Sequence, residues 1–183
     1  MRGYFGIGVE GISKPMNLGS LLRSAHAFGA SFAFTIGAVF DAKAAAQSDT
    51  SAAVSSMPFN AWSDLDEMRL PHGCRLVGIE FRDDASDLPS FTHPGQAAYV
   101  LGAERASLSQ DLVERCDFLV KIPTKFCVNV AIAGALVMYD RMISLGRFAE
   151  RPVRTGGAAR RVGAHVHGEP LWKKKLTKKA AGS

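Results

Sequence analysis

The sequence predicts an α/β fold, a mainly parallel sheet flanked by helices. Two observations carry that expectation. Strand-like and helix-like runs alternate along the chain, and strands separated by helical crossovers pair in parallel. The length of 183 residues suits one domain, placed at residues 1–150, followed by a tail at residues 151–183.

The elements follow in order. Residues 4–9 read as a first strand, leading through Gly11 and Pro15 into a helix over residues 18–28 with Asn17 as its N-cap. After Gly29, residues 33–36 make a second strand. Residues 42–46 and 51–55 are weakly helical around a polar break. Residues 59–62 read as a short strand and 64–69 as a short helix ended by Pro71. Residues 75–81 are a strand between Gly73 and the acidic loop 83–87, and residues 89–95 are loop. Residues 98–101 are a strand that stops at Gly102. Ser109 caps a helix running to Cys116, residues 118–122 form the last strand, and Asn129 opens a long apolar helix reaching Arg147.

Composition excludes several classes. No apolar run approaches the roughly 20 residues needed to span a bilayer, and the N-terminal stretch lacks the apolar core and cleavage site of a signal peptide. Cys74, Cys116 and Cys127 are odd in number and scattered, which points to reduced thiols in a cytoplasm rather than a disulfide frame or zinc site. His165 and His167 form H-x-H without two further ligands, so no metal is expected. The net charge of +5 is unevenly spread. Residues 151–183 carry nine Lys/Arg against Glu169 alone, a balance of +8, and the rest of the chain is −3. A Gly/Ala-rich basic tail with few large apolar groups is expected to be partly disordered and to attract phosphate backbones.

Gly6, Gly8 and Gly11 spell G-x-G-x-x-G, the dinucleotide fingerprint. That motif needs the glycines between a strand and a helix start, with an acid about 20 residues on. Here they fall inside the expected strand, and no acid occurs between Glu10 and Asp41. Close packing of the strand against its neighbours is the expected reason for them.

Three segments carry the chemistry. In KPMNLGSLLRSAHAFG, Asn17, Gly19 and Arg23 have the spacing N-x-G-x-x-x-R. Alone, this is an amphipathic helix with an arginine on its polar side. In YVLGAERASLS, a strand ends at Gly102, where the missing Cβ lets the backbone approach a ligand, and Glu104 follows. In VKIPTKFCVNVAIAGALVMYDR, a strand ends at Pro123, and a short loop leads to Asn129.

In this order the three resemble the motifs of the SpoU/TrmH group of SPOUT RNA methyltransferases, over roughly residues 4–147. N-x-G-x-x-x-R matches the family's first motif, LGAER its LGxE, and IPTKFCVN its isoleucine–proline, loop and S-x-N in outline. SDTS at residues 48–51 with Met57 and Pro58 also recurs in members. Cys127 stands where the family often has serine, and the loop after Pro123 is shorter than in many members.

The resemblance implies a SPOUT-type fold whose C-terminal half is tied into a deep trefoil knot, against the general rule that chains avoid knots. It implies S-adenosylmethionine bound in that knot, a homodimer, and methylation of a ribose 2′-hydroxyl in RNA. Cofactor contacts fall by resemblance at Ile79, Gly102, Ile122 and Val128, where apolar side chains also serve the core. Arg23 is placed at the reacting hydroxyl, across the dimer interface. A guanidinium has a pKa above about 12 and is a poor base while protonated, so stabilising charge and holding a phosphate is the conservative role. Glu104 orients Arg23, and Asn17 and Asn129 fix loops or contact the substrate. Cys127 has no activating neighbour in sequence, and a packing role is expected for it. His26 lies at i+3 from Arg23 and is read as structural.

The expected function is therefore a cytoplasmic, homodimeric RNA ribose 2′-O-methyltransferase, with tRNA the first expectation and rRNA the second. The chain starts almost at the first strand, so substrate grip is expected from the dimer surface and the basic tail. Two alternatives stay open: a noncatalytic RNA-binding protein of the same fold, and a SPOUT base methyltransferase.

Overall fold

Seven strands, every pair parallel, form the sheet that the alternating pattern requires. The computed structural model describes residues 3–47, 57–103, 107–146 and 148. The strands are β1 (Tyr4–Glu10), β2 (Phe32–Ile36), β3 (Phe59–Trp62), β4 (Arg75–Ile79), β5 (Ser86–Asp87), β6 (Gln96–Leu101) and β7 (Phe118–Lys121). The helices are α1 (Pro15–Phe28), α2 (Ala42–Gln47), α3 (Gln110–Arg115) and α4 (Val130–Leu145). Strand order is β3-β2-β1-β6-β4-β7-β5. The helix expected at 51–55, Glu104 and the whole tail 151–183 lie outside the described residues.

Both faces of the sheet are covered, as a parallel sheet requires. Alternate residues of β6 serve the two sides. Ala97, Tyr99 and Leu101 join the core with Leu18, Leu21, Leu22, Val137 and Met138 of α1 and α4. Ala98 and Val100 join Phe32, Phe34 and Leu112 on the other side. The glycine run at the start falls within this packing. A Cβ on Gly6 would collide with the Phe32 ring, and one on Gly8 with the Phe34 ring. Those glycines make room for two phenylalanines of the neighbouring strand, the close packing expected of them.

Helix α1 begins earlier than expected. Pro15 occupies the first turn, where its missing N–H costs nothing, and Lys14 stands at the N-cap without a side-chain bond. Asn17 is therefore inside the helix and is not its cap. The far end closes on Gly29 at φ 75°, with Ala30 N–H donating to Ala25 C=O at 2.9 Å, the pattern in which a left-handed glycine satisfies the last carbonyls. Gly134 of α4 sits where a Cβ would strike Leu21, so the two helices approach closely.

Two local expectations fail. Residues 64–69 form turns and no helix, because Asp64 Oδ1 accepts the N–H groups of Asp66 (2.8 Å) and Glu67 (3.0 Å). A short acidic side chain there competes with the helical bonds. The acidic loop ends in β5, where Ser86 pairs with Val120 and Asp87 with Lys121. A two-residue strand leaves no periodicity to read.

Arg141 is buried near the C-terminal end of α4 and ties that helix to the amino ends of β1 and β6. Its guanidinium donates to Pro94 C=O (2.6 Å), Gly95 C=O (2.9 Å), the Tyr99 hydroxyl (3.1 Å) and Tyr4 C=O (3.4 Å), and its carbon lies 5.2 Å from the centroid of the Phe5 ring. The Tyr99 hydroxyl bonds His93 Nδ1 at 2.6 Å, and His93 Nε2 bonds Asp140 Oδ2 at 3.0 Å. Neutral His93 protonated on Nε2 satisfies the whole chain: Arg141 donates to the hydroxyl, the hydroxyl to Nδ1, and Nε2 to the Asp140 carboxylate.

Burial lowers the His93 pKa below 6.5, with Arg141 acting the same way and Asp140 opposing. The unfolded chain therefore takes up a proton first on acidification. The stability held in neutral His93 is full above about pH 6.5 and is lost as pH falls toward the lowered folded value. Urea midpoints measured from pH 7.5 down to 5.5 should fall, and His93→Gln should flatten that fall. An equal slope in both proteins would contradict the assignment.

Candidate active site

A cavity of about 600 Å³ opens at the carboxyl ends of β4, β6 and β7, against the start of α4. Open parallel sheets place ligands at this end because the strands finish there and their loops diverge. Ile79 ends β4 and Glu80 follows it, Gly102 and Ala103 follow β6, and Ile122 and Thr124 follow β7. Val128 and Asn129 close it from the α4 side. Four residues expected to touch a cofactor, Ile79, Gly102, Ile122 and Val128, thus line a single cavity.

Asn129 caps α4, its Oδ1 accepting the Ala131 N–H at 2.9 Å. Its Nδ2 donates to Asn17 Oδ1 at 3.3 Å, joining the starts of α1 and α4. Because Asn17 does not cap its own helix, its side chain is free to make this bond. Arg23 lies six residues further along α1, about 9 Å along the axis at 1.5 Å per residue. It is exposed, and its side chain has no partner among the described residues. Glu104, the expected partner of Arg23, lies outside them. His26 is also exposed.

Sequence reasoning passed over Glu80. It is the one charged side chain among the described residues lining the cavity. Its carboxylate accepts the N–H of Leu108 at 2.6 Å and of Phe81 at 2.9 Å. From the end of β1, Glu10 accepts the Ser109 N–H at 2.7 Å and the Ser109 hydroxyl. Two carboxylates thus anchor neighbouring residues where the chain re-enters α3. The sequence reading put Glu80 inside a strand over residues 75–81, so nothing marked it, and only the end of β4 at Ile79 places its carboxylate at the cavity.

Among the thiols, burial pushes Cys116 up to about 12 and raises Cys74. Neither is a nucleophile at neutral pH. Cys127 lines the cavity, exposed, without a side-chain partner among the described residues. No helix among the described residues is long and apolar enough to cross a membrane.

Comparison with known proteins follows the same outline. Residues 5–139 match the SpoU rRNA Methylase family. The chain is 31% identical over 145 residues to 23S rRNA (guanosine-2'-O-)-methyltransferase RlmB of Coxiella burnetii, covering 72% of this chain and 55% of that protein. It is 28% identical over 143 residues to tRNA (guanosine(18)-2'-O)-methyltransferase TARBP1 of Mus musculus, covering 70% of this chain and 9% of that protein. The crystal structure of the SpoU methyltransferase AviRb from Streptomyces viridochromogenes, in complex with the cofactor AdoMet, superposes with a TM-score of 0.68 at 26% identity, over 78% of this chain and 58% of that one. The chain spans little more than half the length of its bacterial relative and a small part of the mouse one. With residues 5–139 matched, three quarters of its length, the chain belongs to the SpoU rRNA Methylase family.

Proposed function

We propose that this protein is an S-adenosylmethionine-dependent RNA methyltransferase acting on a ribose 2′-hydroxyl, in tRNA before rRNA, as a cytoplasmic homodimer. One observation carries the reading: Ile79, Gly102, Ile122 and Val128 line one cavity with Asn129, which is bonded to Asn17 on the helix bearing Arg23. The cavity suits the cofactor in chemistry and size. Its volume is within the ordinary range for ligands of that mass. Apolar walls suit an adenine, backbone groups at strand ends suit its polar edge, and Glu80 is complementary to a cation. Bound there, S-adenosylmethionine supplies a methyl group on a positively charged sulfur.

The chain's own residues do the rest. Gly102 keeps its backbone open to the ligand, and Asn17 with Asn129 holds the cavity mouth. Arg23 binds the phosphate next to the target ribose and stabilises the negative charge that develops on the 2′-oxygen, whose proton passes to solvent. Glu104 is proposed to orient that guanidinium by a carboxylate fork. The homodimer is supported by α4, where Ile132, Leu136, Tyr139 and Met142 are partly or well exposed at helical spacing. Such an apolar stripe marks an interaction surface. A trefoil knot accords with the interleaved order β6-β4-β7-β5. The basic tail is proposed to hold RNA by its phosphates.

Nucleoside mass spectrometry tests the reaction. Bulk tRNA and rRNA from cells lacking the protein are incubated with it and labelled S-adenosylmethionine. Label on a ribose 2′-oxygen is the expected outcome. Label on a base would make it a base methyltransferase. Cofactor binding without label, beside an active control enzyme, would favour an RNA-binding protein without turnover.

A further inference from the structure

We infer that Phe126 is a stacking platform for the base of the target nucleotide and that Lys125 holds an adjoining phosphate; this rests on RNA being the substrate. Phe126 stands in the loop between β7 and α4, between Thr124 and Cys127, which both line the cavity. Phe126 is 75% exposed and has no aromatic partner among the described residues. The loop carrying it is held in shape. The Thr124 hydroxyl donates to Phe126 C=O at 2.9 Å, and Thr124 N–H donates to Ile122 C=O at 2.7 Å. A large apolar ring is thus presented to solvent at the edge of the reaction cavity on a braced turn.

The charges beside it point the same way. A groove of about 860 Å³ shares Phe81 and Thr124 with the cavity and carries Arg82, Lys121, Lys125, Asp83, Asp84 and Asp87. Arg82 makes two 2.9 Å bonds to Asp84, and Lys121 lies 4.0 Å from Asp87. Lys125 is the one of these three cations without an ion-pair partner among the described residues, next in sequence to the exposed ring. The groove's charges balance, with Asp83 its acid without an ion-pair partner among the described residues, so the phosphate site is Lys125 itself and not the groove.

An exposed ring and a free cation side by side match a base and its phosphate. Aromatic side chains stack on bases that have left a helix, because in a duplex both faces are already covered. The target is therefore an unpaired nucleotide, whose base on Phe126 holds its ribose over the cavity.

The test uses the full chain and a single-stranded RNA of about a dozen nucleotides with one central 2-aminopurine, whose emission is quenched on stacking. Wild type and Phe126→Trp should bind and quench. Phe126→Ala should lose about 5- to 100-fold in affinity together with the quenching. Lys125→Ala should lower the salt slope by about 0.7. S-adenosylmethionine affinity by calorimetry and mass by light scattering should match wild type in both variants. Equal quenching by Phe126→Ala, no binding by wild type, or an altered oligomeric mass in Phe126→Ala would overturn the platform, the last in favour of a protein interface. Binding and quenching without methylation of any RNA would instead remove the proposed reaction and leave the platform standing.

Discussion

Arg23→Lys should lower kcat for RNA methylation by at least about 100-fold, the loss typical when one preorganised donor to a developing oxyanion is removed. Lysine keeps the charge but loses the planar fork that grips a phosphate or carboxylate through two bonds. Arg23 is exposed on α1 and makes no side-chain bond to the described residues, so removing it leaves no buried group unpaired among them. Tm and S-adenosylmethionine affinity should therefore stay at their wild-type values. A fall in Tm matching the fall in activity would mean that Arg23 holds the fold. If the arginine serves the partner's cavity, mixed dimers of Arg23→Ala and Gly102→Trp chains should regain activity that neither parent has.

Arg141→Met should cost about 3–5 kcal/mol of folding stability, read from urea unfolding. Methionine has comparable length but donates nothing. Pro94 C=O, Gly95 C=O and the Tyr99 hydroxyl would each lose a partner in a site where water is scarce. Burial already pushes the Tyr99 phenol up to about 12, so the hydroxyl stays neutral and needs a partner. Tyr99→Phe removes donor and acceptor together and should cost less. A loss below about 1 kcal/mol for Arg141→Met would show the network to be dispensable.

Both residues lie in segments whose secondary structure was legible, yet only one was noticed. Arg23 stood out through the spacing N-x-G-x-x-x-R. Arg141 sat in a long apolar helix as one more charge, and burial of a helical arginine depends on carbonyls some 46 residues away in sequence. Asn129 was readable as a cap because capping is local. Asn17 looked like one too, but Pro15 started the helix early, and its partner is Asn129, 112 residues on. Asp64 misled for the opposite reason. Its turn bonds are as local as a helix and won over it.

Strand and helix alternation and the residues of each motif were determined by the sequence itself, since each rests on neighbours a few positions apart. The glycines of β1 belong partly to both levels. Their place inside a strand was local, but the Phe32 and Phe34 rings they accommodate came from pairing with β2. Strand order, with β6 between β1 and β4 and β7 between β4 and β5, was decided only in three dimensions. So were the Glu80 and Glu10 anchors and the His93–Tyr99–Arg141 chain. Hydrogen bonds between distant residues leave no periodic trace along a chain, and the contacts that form them exist only once the sheet has closed.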